Sequence, residues 1–339
     1  MGGFYVYGVF TVGVKMERRI GLWMYQNGGG EQIQNQLASK LNERGISVVT
    51  NLDLGNAVAH DGSIFCNDQD MGSLDLFFSY NAGQQTPYQT YLYQTLSTII
   101  PTINNYEAFE LTEDKFKTAQ LLKRHGINTP DYVVCNKKNI DNLKKHFHFW
   151  QGQAICKPIN GWGGNGIIKL ESERDLDLIY PYIVNQASPQ LYLERIIEND
   201  FTDYRVDIVD DQFIACYGRK AAEGSWKTNI TSGGNVIQRE APPEVIELAL
   251  KAARITGLEI AGVDIIYDIE HQKYVVLEVN GIPAFATPEQ EKMGINFNAK
   301  KIQCIVELID RKTRKQSHRS KNTSTHSNVA SDINYTDFA

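Results

Sequence analysis

The sequence predicts a mixed α/β protein with more than one domain. Three observations carry that expectation. Residues 19–103 run strand, helix, strand, an order that gives a parallel sheet. Residues 154–170, AICKPINGWGGNGIIKL, read as a strand, a glycine-rich flap and a second strand. From residue 191 the apolar positions follow strand spacing, forming hairpins around one helix. At 339 residues, with 42% hydrophobic and 22% charged, the chain has length for two or three cores.

Taken in order, residues 1–18 form a leader or an extra strand. The apolar run Phe4 to Val14 is too short to span a membrane and lacks the basic segment and small-residue site of a signal peptide. Ile20 to Tyr25 reads as a strand and Gly28-Gly29-Gly30 as a turn. Glu31 to Arg44 reads as a helix closed by Gly45, and Ile46 to Thr50 and Leu74 to Ser79 as further strands. The triple glycine suits either an anion at a helix N-terminus or a tight turn. Residues 110–130 predict one helix with Thr112 as N-cap, Glu113 and Asp114 matching its dipole, and Gly126 closing it before Pro130. Phe116, Ala119 and Leu122 would face inward. Lys115, in the first turn, opposes the dipole and is either held there for an anion or a snorkelling surface residue. His146 and His148 fit a solvated loop.

Further on, Tyr204 to Val209 and Phe213 to Tyr217 flank an Asp210-Asp211 turn. Pro243 to Thr256 reads as a helix ending at Gly257, and Ala261 to Tyr267 and Lys273 to Val279 as strands. Residues 311–339 turn basic and then rich in Ser, Thr and Asn, which predicts a disordered tail. The net charge of −6 excludes general affinity for nucleic acid. Five cysteines without a Cys-x-x-Cys pair suggest reduced thiols in a cytoplasmic protein, filling space as small apolar residues.

The flap carries chemistry. Gly161, Gly163, Gly164 and Gly166 let backbone N–H groups approach phosphate oxygens, and Lys157 supplies a charge just upstream. The formal G-x-G-x-x-G match fails as a dinucleotide fingerprint. A strand follows instead of a helix, and Val184 and Asn185 stand where an acidic residue belongs about 20 positions on. The Gly-Lys-Ser/Thr ending of a Walker loop and the His-Arg-Asp of a kinase are missing. What survives is a flap over nucleotide phosphates, with Trp162 as its lid, or an ordinary hairpin with a flexible tip.

Strand periodicity puts Val275, Leu277 and Val279 on one face and Glu278 and Asn280 on the other. A hairpin symmetric about His271 places Asp264 opposite Glu278. Two facing carboxylates repel unless a cation sits between them, and with the Asn280 amide oxygen they suit a hard divalent ion. The bland alternative is a solvated polar face. Asp203, Arg205 and Asp207 share a face, and Arg219, Lys220 and Lys227 follow. This cluster suits a carboxylate and phosphates, or a run of surface ion pairs.

With these segments in order, DKFKTAQLLKRHGINTP, ICKPINGWGGNG, YLERII, DYRVDIV, GRKAAEGSWKTNITSGG, AGVDII and LEVNGIPAF, the chain resembles the ATP-grasp superfamily. Within it, the chain is similar to RimK-type ligases, the alpha-L-glutamate ligase group, over about residues 105–310. The resemblance implies an N-terminal domain over 19–103, a central lid domain over 104–190 and a C-terminal grasp domain over 191–310, with ATP between the last two. It implies that Lys115 and Lys157 contact ATP phosphates and that Glu194 and Arg195 hold adenine and ribose. Asp203, Lys220, Lys227, Thr228 and Asn229 would also touch the nucleotide. Asp264, Glu278 and Asn280 would bind Mg2+ or Mn2+, two ions in all, and Arg219, Lys157 and Arg205 would act in catalysis. Two departures stand out: Ile282 and Ala284 in EVNGIPA, and Thr231-Ser232 where the family has basic residues. They leave the ATP residues intact and leave glutamate open as substrate.

The function implied is ATP-dependent ligation of a carboxylate to an amine through an acylphosphate, with an amino acid, peptide, protein or small molecule as acceptor. A glutathione-synthetase-like or dipeptide-type ligase keeps the same machinery. A non-catalytic ATP-binding regulator is the reading from another class, and the metal trio argues against it. Neither nucleic acid nor membrane is an expected partner, and a homo-oligomer is compatible with the sequence.

Overall fold

The computed structural model describes residues 18–81, 85–161, 163–185 and 190–323. β1 (Arg18–Met24) is buried from Ile20 onward and takes a central place in a sheet. α1 (Gly30–Glu43) lays Ile33, Leu37 and Leu41 onto the core, and β2 (Ile46–Val49) returns parallel to β1. The turn before α1 needs glycine, because a Cβ on Gly30 would fall 2.1 Å from the Tyr25 carbonyl oxygen. A small antiparallel side sheet follows: β3 (Val58–His60), β4 (Ser63–Cys66) and β5 (Gln69–Asp70). β6 (Leu76–Tyr80) pairs with the other edge of β1. α2 (Pro87–Ser97) starts on a Thr86/Gln89 capping box, and β7 (Thr102–Ile103) completes the parallel order β2-β1-β6-β7.

The single helix expected over 110–130 is two. α3 (Tyr106–Glu113) and α4 (Lys115–Arg124) meet at Asp114, whose extended backbone breaks the first and whose carboxylate accepts from the Lys117 N–H to cap the second. Asn105 caps α3, so Thr112 is no N-cap: its buried hydroxyl donates to the Ala108 and Phe109 carbonyls. Lys115 consequently opens α4.

The next sheet is antiparallel, order β10-β9-β11-β8. It contains β8 (Tyr132–Asn136), β9 (Ala154–Cys156), β10 (Ile168–Leu170) and β11 (Gln190–Arg195), with α5 (Ile140–Phe149) and α6 (Glu173–Val184) between them in the chain. His146 and His148 are exposed, but on α5 and not in a loop. Leu143 and Phe147, four apart, supply the buried face that makes this segment helical. Val133, Phe147, Leu170 and Leu193 belong to one core confined to this unit.

A five-stranded antiparallel sheet, order β14-β13-β12-β15-β16, holds most of the remaining polar residues of interest. It is built from β12 (Thr202–Val209), β13 (Gln212–Lys220), β14 (Asn235–Ile237), β15 (Ile260–Asp268) and β16 (Lys273–Asn280). α7 (Pro243–Thr256), started by proline and closed by Gly257, covers it with Val245, Ala249 and Ala252. Beyond the short α8 (Pro288–Lys292), α9 (Asn298–Thr323) buries Ile302, Ile305 and Ile309 in a core shared with β1, β6 and α1. Each such side chain contributes roughly 1.5–3 kcal/mol when fully buried.

Disorder from residue 311 is not what the structure shows, because α9 continues to Thr323. Thr313 is buried, Lys312 pairs with Glu259 and donates to the Thr102 carbonyl, and Arg314 pairs with Asp310 one turn back. The Lys312 partners lie far away in sequence, so composition hid them. Residues 324–339, the leader up to 17 and Trp162 lie outside the described residues. Among the described residues no helix is long and apolar enough to cross a membrane.

Candidate active site

The β15–β16 hairpin sets the site. Asp268 faces Lys273 and Ile265 faces Val276; the register then shifts by one, so that Asp264 faces Glu278 and Gly262 faces Asn280. The expected carboxylate pairing is therefore present. The even alternation along the strand is not: Val276 and Val279 pack in the core with α7, whereas Val275 and Leu277 pack with Ile197 and Ile266. Leu277 is the extra residue of a β-bulge, which exchanges the two faces and brings Glu278 opposite Asp264.

Asp264 is buried between two arginines on neighbouring strands. Arg205 Nε lies 2.8 Å from its Oδ1 and Arg219 Nη2 lies 2.8 Å from its Oδ2. Arg219 also reaches Asp203 Oδ2 at 2.7 Å, and the Thr228 hydroxyl donates to the same carboxylate. Burial opposes the charge on Arg219, but Asp264 and Asp203 outweigh it and hold its pKa well above the usual guanidinium value. Arg205 is raised in the same way, with Asp264 overcoming burial.

The donor set fits a hard divalent cation. Asp264 Oδ1 is buried and, although close to Arg205, has no hydrogen-bond partner among the described residues. Glu278 is half-buried, with Lys115 Nζ at 3.3 Å, and Asn280 sits two pairs further along. Two carboxylates and an amide are the oxygen ligands such an ion takes. They share a 370 Å³ cavity with Arg205, Arg219 and Glu113. Burial first, and then the negative charge of Glu278, push the Glu113 carboxyl upward. The sequence had suggested only a helix-dipole role for Glu113, and only the α3–α4 break reveals it in the cavity.

The flap closes one side. Gly161, Gly163, Gly164 and Gly166 all have positive φ. Lys115 donates to the Gly161 carbonyl, Thr231 to that of Gly163, and Lys227 to that of Gly164 at 3.3 Å. Asn229 packs so near that a Cβ on Gly164 would lie 2.8 Å from its Oδ1. Below the flap, Lys157 pairs with buried Glu194, which also accepts from the Tyr192 hydroxyl at 2.8 Å. Glu194, Lys115 and Glu278 line one narrow slot with Leu122 and Leu277.

Two expected residues aim elsewhere. Alternation along β11 turns the Arg195 side chain away from Glu194, to Asp268 at 3.0 Å and Glu270 at 2.9 Å, beside a separate cavity that includes Trp150 and His271. Lys220, next to Arg219 on β13, is exposed on the opposite face. Sequence reasoning also missed Lys301, a wholly buried ammonium beneath the loop after Asn280, since a lysine beside Ile302 on a helix gives no sign of its partner.

Residues 112–305 match the RimK-like ATP-grasp domain. The tetrahydromethanopterin:alpha-L-glutamate ligase of Methanocaldococcus jannaschii is 31% identical over 250 residues, covering 70% of this chain and 81% of that protein. A RimK domain ATP-grasp protein from Sphaerobacter thermophilus superposes with a TM-score of 0.64 at 13% identity, covering 85% and 98%. The ATP-grasp ligase PsnB, solved with a minimal precursor, Mg and ADP, superposes at 0.60 and 17% identity, covering 87% and 97%.

Proposed function

The chain belongs to the RimK-like ATP-grasp family and is an ATP-dependent carboxylate–amine ligase, and from that premise we propose how its own residues divide the work. The observation that carries the proposal is the meeting of Asp264, Glu278, Arg205 and Arg219 in one cavity beneath a glycine flap. We place the ATP phosphates between that flap and Lys157 and Lys115, and the adenine along the slot of Leu122, Glu194 and Leu277. The backbone of Arg195, not its side chain, would border the base. Asp264, Glu278 and Asn280 would hold magnesium, two ions in this proposal, which supplies neutralisation of phosphate charge.

Catalysis then needs little covalent chemistry from the protein. A substrate carboxylate oxygen bonds to the γ-phosphorus as the bond to ADP breaks, giving an acylphosphate. An amine nitrogen next attacks the acyl carbon, phosphate leaves, and the amine proton passes to solvent or to Glu113. Arg219, held rigidly by Asp203, and Arg205 and Lys157 offset the charge that develops. The Lys115 and Lys227 contacts to flap carbonyls keep water from the acylphosphate. Free cysteines at all five positions suit a cytoplasmic setting.

The test is phosphate release from Mg-ATP across amino acids and peptides, with mass spectrometry of the products. ADP together with an amide supports the proposal, and AMP would point to adenylation. Tight ATP binding without release from any substrate would favour the regulatory reading.

A further inference from the structure

Resting on the ligase reading above, we infer that the substrate side chain seated in this cavity is apolar and carries no second carboxylate. The charges come first. The cations that line the cavity are Arg205 and Arg219, and Asp264 and Asp203 already pair with them. With nucleotide bound, those guanidinium groups face phosphate and the reacting carboxylate. Two buried donors of Arg205, Nε and Nη1, have no hydrogen-bond partner among the described residues; Nε already faces Asp264 Oδ1 at 2.8 Å as an ion pair, which leaves Nη1. One open donor suits one carboxylate.

Away from this end the walls carry no cation and are mostly apolar, with the neutral Asn229, Thr287 and Gln290 among them. Phe109, Tyr217, Ile230, Val236, Ile282 and Phe285 line the cavity. Its remaining charged groups, Glu113 and Glu278, are acidic. A glutamate or aspartate side chain there would lose water without a cation to receive it and would sit beside like charge. A leucine- or phenylalanine-sized side chain would instead cover apolar surface. The Thr231-Ser232 pair adds to this, since Thr231 lines the cavity as a neutral residue whose hydroxyl is spent on the Gly163 carbonyl.

The experiment measures kcat/KM for phosphate release from Mg-ATP. The panel is free amino acids and matched dipeptides carrying leucine, valine, phenylalanine, aspartate or glutamate. At least a tenfold preference for the apolar members is expected. Equal or better use of aspartate or glutamate overturns this inference and leaves the ligase reading standing; release from no member overturns the ligase reading and this inference with it. A second arm uses Ile230→Arg, whose exposed side chain can change without disturbing the core. The new cation should raise the glutamate-to-leucine ratio at least fivefold. An unchanged ratio counts against the cavity as the place where that side chain sits.

Discussion

Lys301 Nζ lies 2.7 Å from Asp207 Oδ2, with both side chains fully buried, and the same ammonium donates to the Pro283 and Ala284 carbonyls at 2.8 and 3.0 Å. One ion pair thus ties α9 and β12 to the loop that leaves Asn280. Tyr80 holds that loop from the parallel sheet by donating to the Pro283 carbonyl at 2.5 Å. Burial lowers the Lys301 pKa, and Asp207 restores part of it.

Lys301→Met should therefore destabilise the fold by about 3–5 kcal/mol, because it strands a buried carboxylate. The double variant Asp207→Asn/Lys301→Met should recover part of the loss by removing that charge. Urea unfolding midpoints decide it. A single variant as stable as the wild type would show that the pair does not organise the loop.

Asp310 gives a pH-dependent prediction. Burial pushes its carboxyl up, but hydrogen bonds and charge from Arg18 and Arg314 outweigh this and hold it below its ordinary value of 3.8. A carboxyl lowered in the folded state adds stability above the unfolded pKa, and that stability is lost as pH falls through the folded value. Asp310→Asn should lower stability near neutrality by about 1–3 kcal/mol, the scale of charged hydrogen bonds. Its deficit against wild type should narrow as pH drops below 3.8. A deficit that stays constant from pH 7 to acid would exclude the ion pairs as its source.

Glu278→Gln should leave the fold near normal and reduce turnover by about two orders of magnitude, the scale of lost electrostatic stabilisation. The side chain is half-buried and faces Asp264, so the change removes charge without leaving a hole. Steady-state rates across a magnesium titration check it, and wild-type turnover at saturating magnesium would remove Glu278 from the ion site.

How legible these features were depended on whether they were local. The Asp264–Glu278 pairing could be read because a turn between two apolar runs limits the register. The bulge at Leu277 could not, since it answers to cores on both sides of β16. The lysines and glycines of the flap showed in the chain, whereas their contacts with 227–231 arise from segments more than sixty residues apart. Thr112 misled because Thr-Glu-Asp resembles a helix start, while Asn105, seven residues earlier, had taken that role. Arg195 and Lys220 shared motifs with site residues, but strand alternation sends their side chains away.

The flap is the most exposed part of the proposal. Gly163 and Gly164 sit at φ +67° and +75°, which a β-branched residue adopts only with strain of roughly 1–2 kcal/mol per residue. Space is short as well: a Cβ would meet Thr231 Oγ1 at 2.9 Å and Asn229 Oδ1 at 2.8 Å. Valine at both positions should therefore lift the flap from the 227–231 segment and break the closure that Lys227 and Thr231 secure. The cores lie elsewhere, so thermal unfolding should barely change. The KM for ATP should rise about tenfold, as a loss of about 1.4 kcal/mol in nucleotide binding gives, and kcat should fall with it. Hydrogen exchange offers a second readout. Mg-ADP should protect residues 160–167 more than any part of 19–103 in the wild type, and lose that effect in the double valine variant. Unaltered ATP kinetics in that variant would mean that the phosphates do not lie under these glycines.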